Sequence, residues 1–266
     1  MEKIAIISDI HGNITALNAV LEDIEKRGVY KIFCLGDLVG KCANPDLTID
    51  KIREKCEIVL KGNIDEIFGS PNNKNKNYWT RNKIGEERAQ YLYNLPIYFE
   101  FYMSGHLIRL FHSSPYALDY IYNPMYKNEN TRYKEFEIDD PLKLFENTEF
   151  LGNNNEKCIP NIIGYGHLHT SFAFRVGNKL IFNPGSVGVP IEMLNNNSDD
   201  NENKFTTMAS YIILEGNYES KDLGEISFNI CRVPYDIDIE IKYLEKTNMY
   251  NKEKIIESLK TGISNI

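Results

Sequence analysis

The first seventy residues repeat one unit: a short apolar run, a turn of Gly, Asp and Asn, then an amphipathic segment of helical period. "KIAIISD" (3–9) gives way to "NITALNAVLEDIEKR" (13–27), where Ile14, Leu17, Leu21 and Ile24 recur on one helical face. "KIFCLGD" (31–37) is followed by "NPDLTIDKIREKC" (44–56), with Asn44 placed as an N-cap and Pro45 at the first helical position. "EIVLKGN" (57–63) reads as a third strand. Strands alternating with helices at this spacing predict parallel βαβ units, whose functional groups gather at the carboxyl ends of the strands. Asp9, Asp37 and Asn63 all stand at such ends.

Beyond residue 95 the pattern changes to hairpins. "IYFEFYM" and "HLIRLFH" flank Ser104–Gly105, and "SFAFRV" and "KLIFNPG" flank Gly177–Asn178. "ASYIILE" and "EISFNICRV" add two strands, and a charged tail with spaced Ile and Leu from about Asp236 reads as helical. A Tyr-rich stretch, 115–150, lacks strand alternation and reads as an insertion; Tyr116, Tyr120, Tyr122 and Tyr126 either line a pocket or form its packing core. Three Asn-rich runs ("PNNKNKN", "GNNNEK", "NNNSDDNEN") have almost nothing to bury and are expected to be exposed loops.

The 266 residues suffice for one large α/β domain or two small ones. A net charge of −8 argues against a surface that binds nucleic acid by neutralising phosphates, while leaving room for a small phosphorylated substrate held by metal ions. The apolar run before Ser8 is too short for a signal or spanning segment, so the expected location is cytoplasmic, with no membrane partner. Five scattered cysteines without a Cys-x-x-Cys pair suggest neither disulfides nor structural zinc.

Four of the five histidines fall into one ordered series with three other polar residues. The series runs "DIHGN" (Asp9, His11), "LGDLVG" (Asp37), "KGNIDE" (Asn63), "LFHSSP" (His112) and "GYGHLHT" (His167, His169). Each follows an apolar strand and adjoins glycine or a small residue, which leaves the side chain exposed at a strand end. Seven mixed N and O donors are what two adjacent divalent ions need, with one carboxylate able to bridge them. Such a set suits Mn, Fe, Zn, Ni or Co better than Ca. Two ions lower the pKa of a bridging water and neutralise charge at phosphorus, which points to phosphoester hydrolysis.

These pieces resemble the calcineurin-like metallophosphoesterase superfamily, whose signature runs D-x-H, G-D, G-N-H-[DE], H, G-H-x-H. "ISDIHGN", "CLGDLVG", "FHSSP", "GHLH" and "FNPGSVGVP" are similar to its small bacterial and archaeal phosphodiesterase branch. The resemblance spans about 1–235 and implies an α/β fold (α+β by some schemes), a four-layer α/β/β/α sandwich of two mixed β-sheets with the dinuclear site at one edge. It implies a single domain over 1–266 that holds two divalent metal ions, manganese foremost, with a hydroxide bridging them as the nucleophile toward phosphorus. Asp9, His11 and His169 would bind one metal, Asn63, His112 and His167 the other, and Asp37 would bridge, with Asn63 and His167 also holding the phosphate.

Departures from the signature shape the expected chemistry. Ile64 stands where many members carry a histidine that protonates the leaving group, and isoleucine has no proton to donate. General acid catalysis is typically worth about 10²–10⁴-fold, so its absence should hurt poor leaving groups most. Ile64 also reads as packing against a neighbouring loop, and the two roles are compatible. Asp65 with a raised pKa, or a metal-bound water, is a remaining proton source; His106 starts the strand that His112 ends, roughly 20 Å away at about 3.3 Å per residue. Lys41 stands at the spacing where the protein-phosphatase branch has arginine, and either contacts phosphate as a point charge or is a solvated loop lysine. Ser113 replaces a frequent glycine without abolishing ligation by His112.

The leading expectation is therefore a phosphodiesterase acting on small diesters. A phosphomonoesterase or nuclease on the same fold, or a non-enzymatic interaction scaffold, are the alternatives. Bound metal separates the enzyme from the scaffold.

Overall fold

A computed structural model describes residues 1–72, 79–124, 137–152, 158–192, 204–205 and 208–261. Tyr126 and most of the three Asn-rich runs lie outside the described residues.

Two five-stranded mixed sheets face each other. The first is built from β1 (Glu2–Ile7), β2 (Lys31–Cys34), β3 (Ile58–Val59), β11 (Met208–Gly216) and β12 (Ser227–Pro234), in the order β12-β11-β1-β2-β3. β1, β2 and β3 run parallel, joined by α1 (Ile14–Lys26) and α2 (Pro45–Lys55), while β11 and β12 add on antiparallel. The second sheet takes β4 (Tyr98–Met103), β5 (His106–Phe111), β6 (Ile162–Tyr165), β7 (Ser171–Val176) and β8 (Lys179–Pro184), in the order β4-β5-β6-β8-β7. A short ribbon pairs β9 (Ile191–Glu192) with β10 (Lys204–Phe205).

Strand alternation sorts the side chains into layers. Ile4 and Ile6 of β1, Phe33 of β2 and Ile212 of β11 point between the sheets, where they meet Ile108, Leu110 and Phe182. Ala5, Ile7, Cys34 and Tyr211 point the other way, onto Leu17, Val20 and Ile24 of α1 and Ile49 and Ile52 of α2. α4 (Trp79–Tyr93) joins that helical layer through Ile84, Ala89 and Leu92, although its helix is interrupted at Gly85, φ 73°. Between the sheets the packing is close enough that a Cβ at Gly164 would stand 2.3 Å from the Phe182 ring. Glycine in β6 is what lets the sheets approach there.

The outer face of the second sheet is covered by two 3-10 turns, Pro141–Phe145 and Glu149–Leu151. Leu144 and Phe145 pack on Phe111, Ile163, Tyr165 and Ile181, with Tyr116 and Tyr122 at the margin of the same cluster. Arg109, fully buried in β5, ties this layer down through Glu100 Oε1 at 2.6 Å and the Glu146 carbonyl at 2.8 Å. Beyond β12, α5 (Ile237–Glu245) and α6 (Lys252–Thr261) build a small core of their own with Ala43 and Trp79. Among the described residues no helix is long and apolar enough to cross a membrane.

Asn44 and Pro45 take the cap and first-turn positions of α2 expected of them, although the Asn44 side chain makes no cap bond, whereas Asn13 caps α1 by accepting from Ala16 N–H at 2.9 Å. One local expectation is corrected: the third strand is shorter than its apolar run, because pairing with β2 stops at Val59 and the chain turns toward α3 (Asn63–Gly69).

Candidate metal centre

The ends of β1, β2, β3, β5 and β6 converge where the two sheets meet. Asp9 and His11 follow β1, Asp37 follows β2, Asn63 opens α3 after β3, His112 follows β5, and His167 and His169 follow β6. Donor atoms of Asp9, His11 and His169 lie within 4.8 Å of one another, as do those of Asp37, His112 and His167. Asn63 joins the second group, its Oδ1 3.1 Å from both His112 Nε2 and His167 Nδ1. Asp37 Oδ2 stands between the groups, 3.7 Å from His11 Nε2 and 3.5 Å from His112 Nε2.

The backbone is bent to bring them there. Asp9, His11, Asp37, His167 and His169 have φ between 51° and 66°, the left-handed region that side chains other than glycine rarely enter. Each such residue costs of order 1 kcal/mol or more, which the surroundings must over-determine. Cross-loop hydrogen bonds do so: Asp9 N–H donates to Gly36 O at 3.0 Å, His11 N–H to Asp37 O at 2.9 Å, and Gly188 N–H to Asp9 O at 2.9 Å. Bare glycines leave room for the carboxylates. A Cβ at Gly62 would stand 2.0 Å from Asp37 Oδ1, and one at Gly166 would stand 2.8 Å from Asp9 Oδ2.

Ring orientation fixes which nitrogen is free. His11 Nδ1 lies 3.0 Å from Val39 O, His112 Nδ1 2.9 Å from Leu35 O, and His169 Nδ1 2.7 Å from Val189 O. A carbonyl can only accept, so each neutral ring carries its proton on Nδ1 and turns an Nε2 lone pair into the site. The His11 and His169 Nε2 atoms face each other at 3.0 Å, where two lone pairs repel unless a positive centre joins them. Asp9 Oδ1, buried and without a hydrogen-bond partner, lies 3.3 Å from His169 Nε2. An orphaned carboxylate oxygen beside converging nitrogen lone pairs is a donor set for a divalent cation. His167 differs from the other rings in presenting Nδ1, and its backbone N–H donates to Asp9 Oδ2 at 3.0 Å, linking the two groups.

Charge in the pocket is strongly biased. Burial pushes Asp9 up, but His169, His112 and His11 overcome it and hold the carboxyl well below its usual range. Burial likewise opposes Asp37, which His112 and His11 hold at about 2. Burial, Lys41 and His169 drive His11 down to about 3, and burial with His112 takes His167 to about 4. Burial also pulls His112 down, but Asp37, with Asp9 and Asp65, outweighs it and raises the ring to about 9. Lys41 is within electrostatic reach of Asp37, Asp9 and His11, and burial pushes its ammonium down.

The neighbours of Asn63 have structural work. Ile64 N–H donates to Asp37 Oδ1 at 2.9 Å, while its side chain packs on Gly40, where a Cβ would meet Ile64 Cγ2 at 2.9 Å. Asp65 accepts backbone N–H bonds from Asp37 at 2.7 Å, Leu38 at 2.9 Å and Gly62 at 3.0 Å. Burial and the Asp37 charge push its carboxyl up to about 7, but both its oxygens are committed to backbone donors. Asp65 is thus a clamp on the loops that carry Asp37 and Asn63. His106 pairs with Met103 at the opposite end of β5 from His112.

Sequence reasoning missed that clamp, and also the floor of the site. Ser186 Oγ donates to Asp9 O at 2.8 Å, and Asn183 Nδ2 donates to Gly166 O at 2.6 Å. The signal available was two polar residues in "FNPGSVGVP", a run otherwise made of apolar, Pro and Gly residues.

Two buried donor groups around a central aspartate, at the edge where two mixed sheets meet, define a dinuclear-metal phosphoesterase fold. The chain belongs to the calcineurin-like phosphoesterase superfamily, whose domain matches residues 2–198. It is thereby of a metal-dependent phosphoric ester hydrolase class, in a family that binds two divalent ions. An uncharacterized protein of Methanocaldococcus jannaschii is 32% identical over 248 residues, covering 88% of each chain. A metallophosphoesterase from Sphaerobacter thermophilus shares the fold with a TM-score of 0.66 at 24% identity, over 98% of this chain and 99% of that one. A hypothetical protein from Pyrococcus horikoshii OT3 does so with a TM-score of 0.66 at 20% identity, over 97% and 98%.

Proposed function

We propose that this chain is a phosphodiesterase that hydrolyses a small phosphodiester, or another ester with an acidic leaving group, in the cytoplasm with manganese as the working metal. Asp9, His11 and His169 would hold one ion, Asn63, His112 and His167 the other, and Asp37 would bridge. Bound there, two divalent ions supply Lewis acidity at phosphorus and acidify a water for attack. The rest is positioning by the chain. Asn63 and His167 orient the phosphate region, and Lys41 adds a point positive charge without the planar fork of arginine. The mixed imidazole, carboxylate and amide set supports manganese over calcium. In this reading residues 1–266 act as one domain, with 115–150 and the C-terminal helices added to a common core.

One observation carries the preference for an acidic leaving group. Beside Asn63 stands an apolar side chain packed on Gly40, and the adjacent carboxylate of Asp65 is occupied by backbone donors. Leaving groups that depart without a proton are then favoured over alkoxides. With manganese, an aryl phosphodiester is expected to turn over about 10²-fold faster than an alkyl monoester, the low end of what a missing general acid costs. Equal turnover of the two, or turnover in a chelator, overturns the reading.

A further inference from the structure

Glu240, on α5, is 0% exposed. Its partners are a hydroxyl and two backbone N–H groups rather than a cation: Thr15 Oγ1 donates to Oε2 at 2.9 Å, Ala43 N–H donates to Oε1 at 3.3 Å, and the Thr15 N–H donates to the same carboxylate. A buried carboxylate held this way is costly, and a helix needing only to dock would do so through Ile241 and Leu244, which already pack on Ala43. What Glu240 touches is informative. Thr15 is in the first turn of α1, directly after His11 and Asn13, and Ala43 belongs to the 39–44 loop.

That loop is the outer wall of one half of the centre. Its Val39 carbonyl holds His11 Nδ1 at 3.0 Å, its Cys42 N–H donates to His11 O at 2.6 Å, and its Asn44 N–H donates to Gly12 O at 2.9 Å. Lys41 lies in the same loop. Glu240 therefore joins the loop to α1 on either side of His11, from an element 197 residues from Ala43 in sequence. It also lies past residue 198, where the superfamily match ends.

We propose that Glu240 is a positioning residue for the Asp9–His11–His169 half of the centre, clamping the 39–44 loop to α1 so that the Val39 carbonyl keeps the His11 ring turned inward. The C-terminal helices then form part of the site's scaffold as well as a covering. This rests on the ligand reading above, and only Glu240 and its loop are added to it.

The test is manganese binding to the metal-free 266-residue chain, followed by titration calorimetry. Wild type is expected to bind two ions. Glu240→Met keeps the length of the side chain and removes both acceptors, and is expected to weaken one of the two ions about tenfold or more while sparing the other, the scale seen when groups behind metal ligands are lost. Leu259→Ala, in the same C-terminal core, is expected to lower the melting temperature and leave both ions unchanged. Thr15→Val removes the hydroxyl arm alone and should weaken the same ion more mildly, which decides the matter if the Glu240 variant does not fold. Isotherms of Glu240→Met, or of Thr15→Val in that case, that superimpose on wild type overturn this proposal and leave the ligand reading intact. A wild type that binds no manganese overturns both.

Discussion

At the scale of single residues, Ile64 and Gly62 show how tightly function and packing are joined at this site. Ile64 holds Asp37 with its N–H and fills the space over Gly40 with its side chain. Replacing it with histidine restores a protonatable group beside Asn63. The expected outcome for Ile64→His is a rise of about 10²-fold in kcat/KM for alkyl esters relative to aryl esters, the low end for general acid catalysis because the ring enters packing shaped for an aliphatic chain. An unchanged ratio would mean that the leaving group never needed that proton. Gly62 fails in another way. A methyl there would stand 2.0 Å from Asp37 Oδ1 and 2.4 Å from its backbone nitrogen. Gly62→Ala is expected to cost about 10²-fold in kcat, the effect of misplacing a reacting group by about 1 Å, together with loss of bound metal by elemental analysis. Far-ultraviolet circular dichroism should be retained.

At the scale of elements, α1 is fastened to its sheet by more than its apolar stripe. Asp23 Oδ2 accepts from Arg27 Nε at 2.8 Å and from the Tyr211 hydroxyl of β11 at 2.7 Å. Burial pushes the Asp23 carboxyl up, but Arg27 and Tyr211 more than offset it and the net shift is downward. A lowered folded value means stability that is present above the unfolded value, near 3.9, and is lost as pH falls through the folded one. Asp23→Asn is therefore expected to be less stable by about 1 kcal/mol near pH 7, with the gap closing as pH drops below about 4; urea midpoints of both proteins across that range check it. The stripe of α1 itself was legible, since Ile14, Leu17 and Ile24 recur at helical spacing and are buried. So were both hairpins, because Ser104–Gly105 supplies two consecutive positive φ values and Gly177 another. The seven polar strand-end residues were legible as a set for the same reason: each interrupts an apolar run beside a small residue. What could not be read were contacts between distant segments. Asp65 looks like any acidic residue in a first helical turn, and Glu240 like one more charge on an exposed helix, until Leu38, Ala43 and Thr15 are brought against them. Asn44 was legible as the cap position before Pro45, but that its side chain makes no cap bond and its amide nitrogen is buried without a partner was not.

At the scale of the whole molecule, the centre belongs to neither sheet alone. Asp9, His11, Asp37 and Asn63 come from the ends of the first, and His112, His167 and His169 from the second. Ions bound between them would report on folding as well as activity. At concentrations about a hundredfold above Kd, each ion would contribute about 2.7 kcal/mol, so two would contribute about 5 kcal/mol, or roughly 10–20 °C in Tm for a chain of this size. A chelator is expected to lower the melting temperature by that amount, reversibly on adding manganese, measured by scanning calorimetry. The same division has a consequence in time. β1 lies inside its sheet, with β2 on one side and β11 on the other, and β11 follows β1 by about 200 residues. At about 5–20 residues per second of synthesis, roughly 10–40 s separate the emergence of Asp9 and His11 from that of the strand that completes the pairing of β1. During that interval β1 has β2 on one side and an unpaired edge on the other, so the first sheet closes around the metal ligands only after all seven have been made.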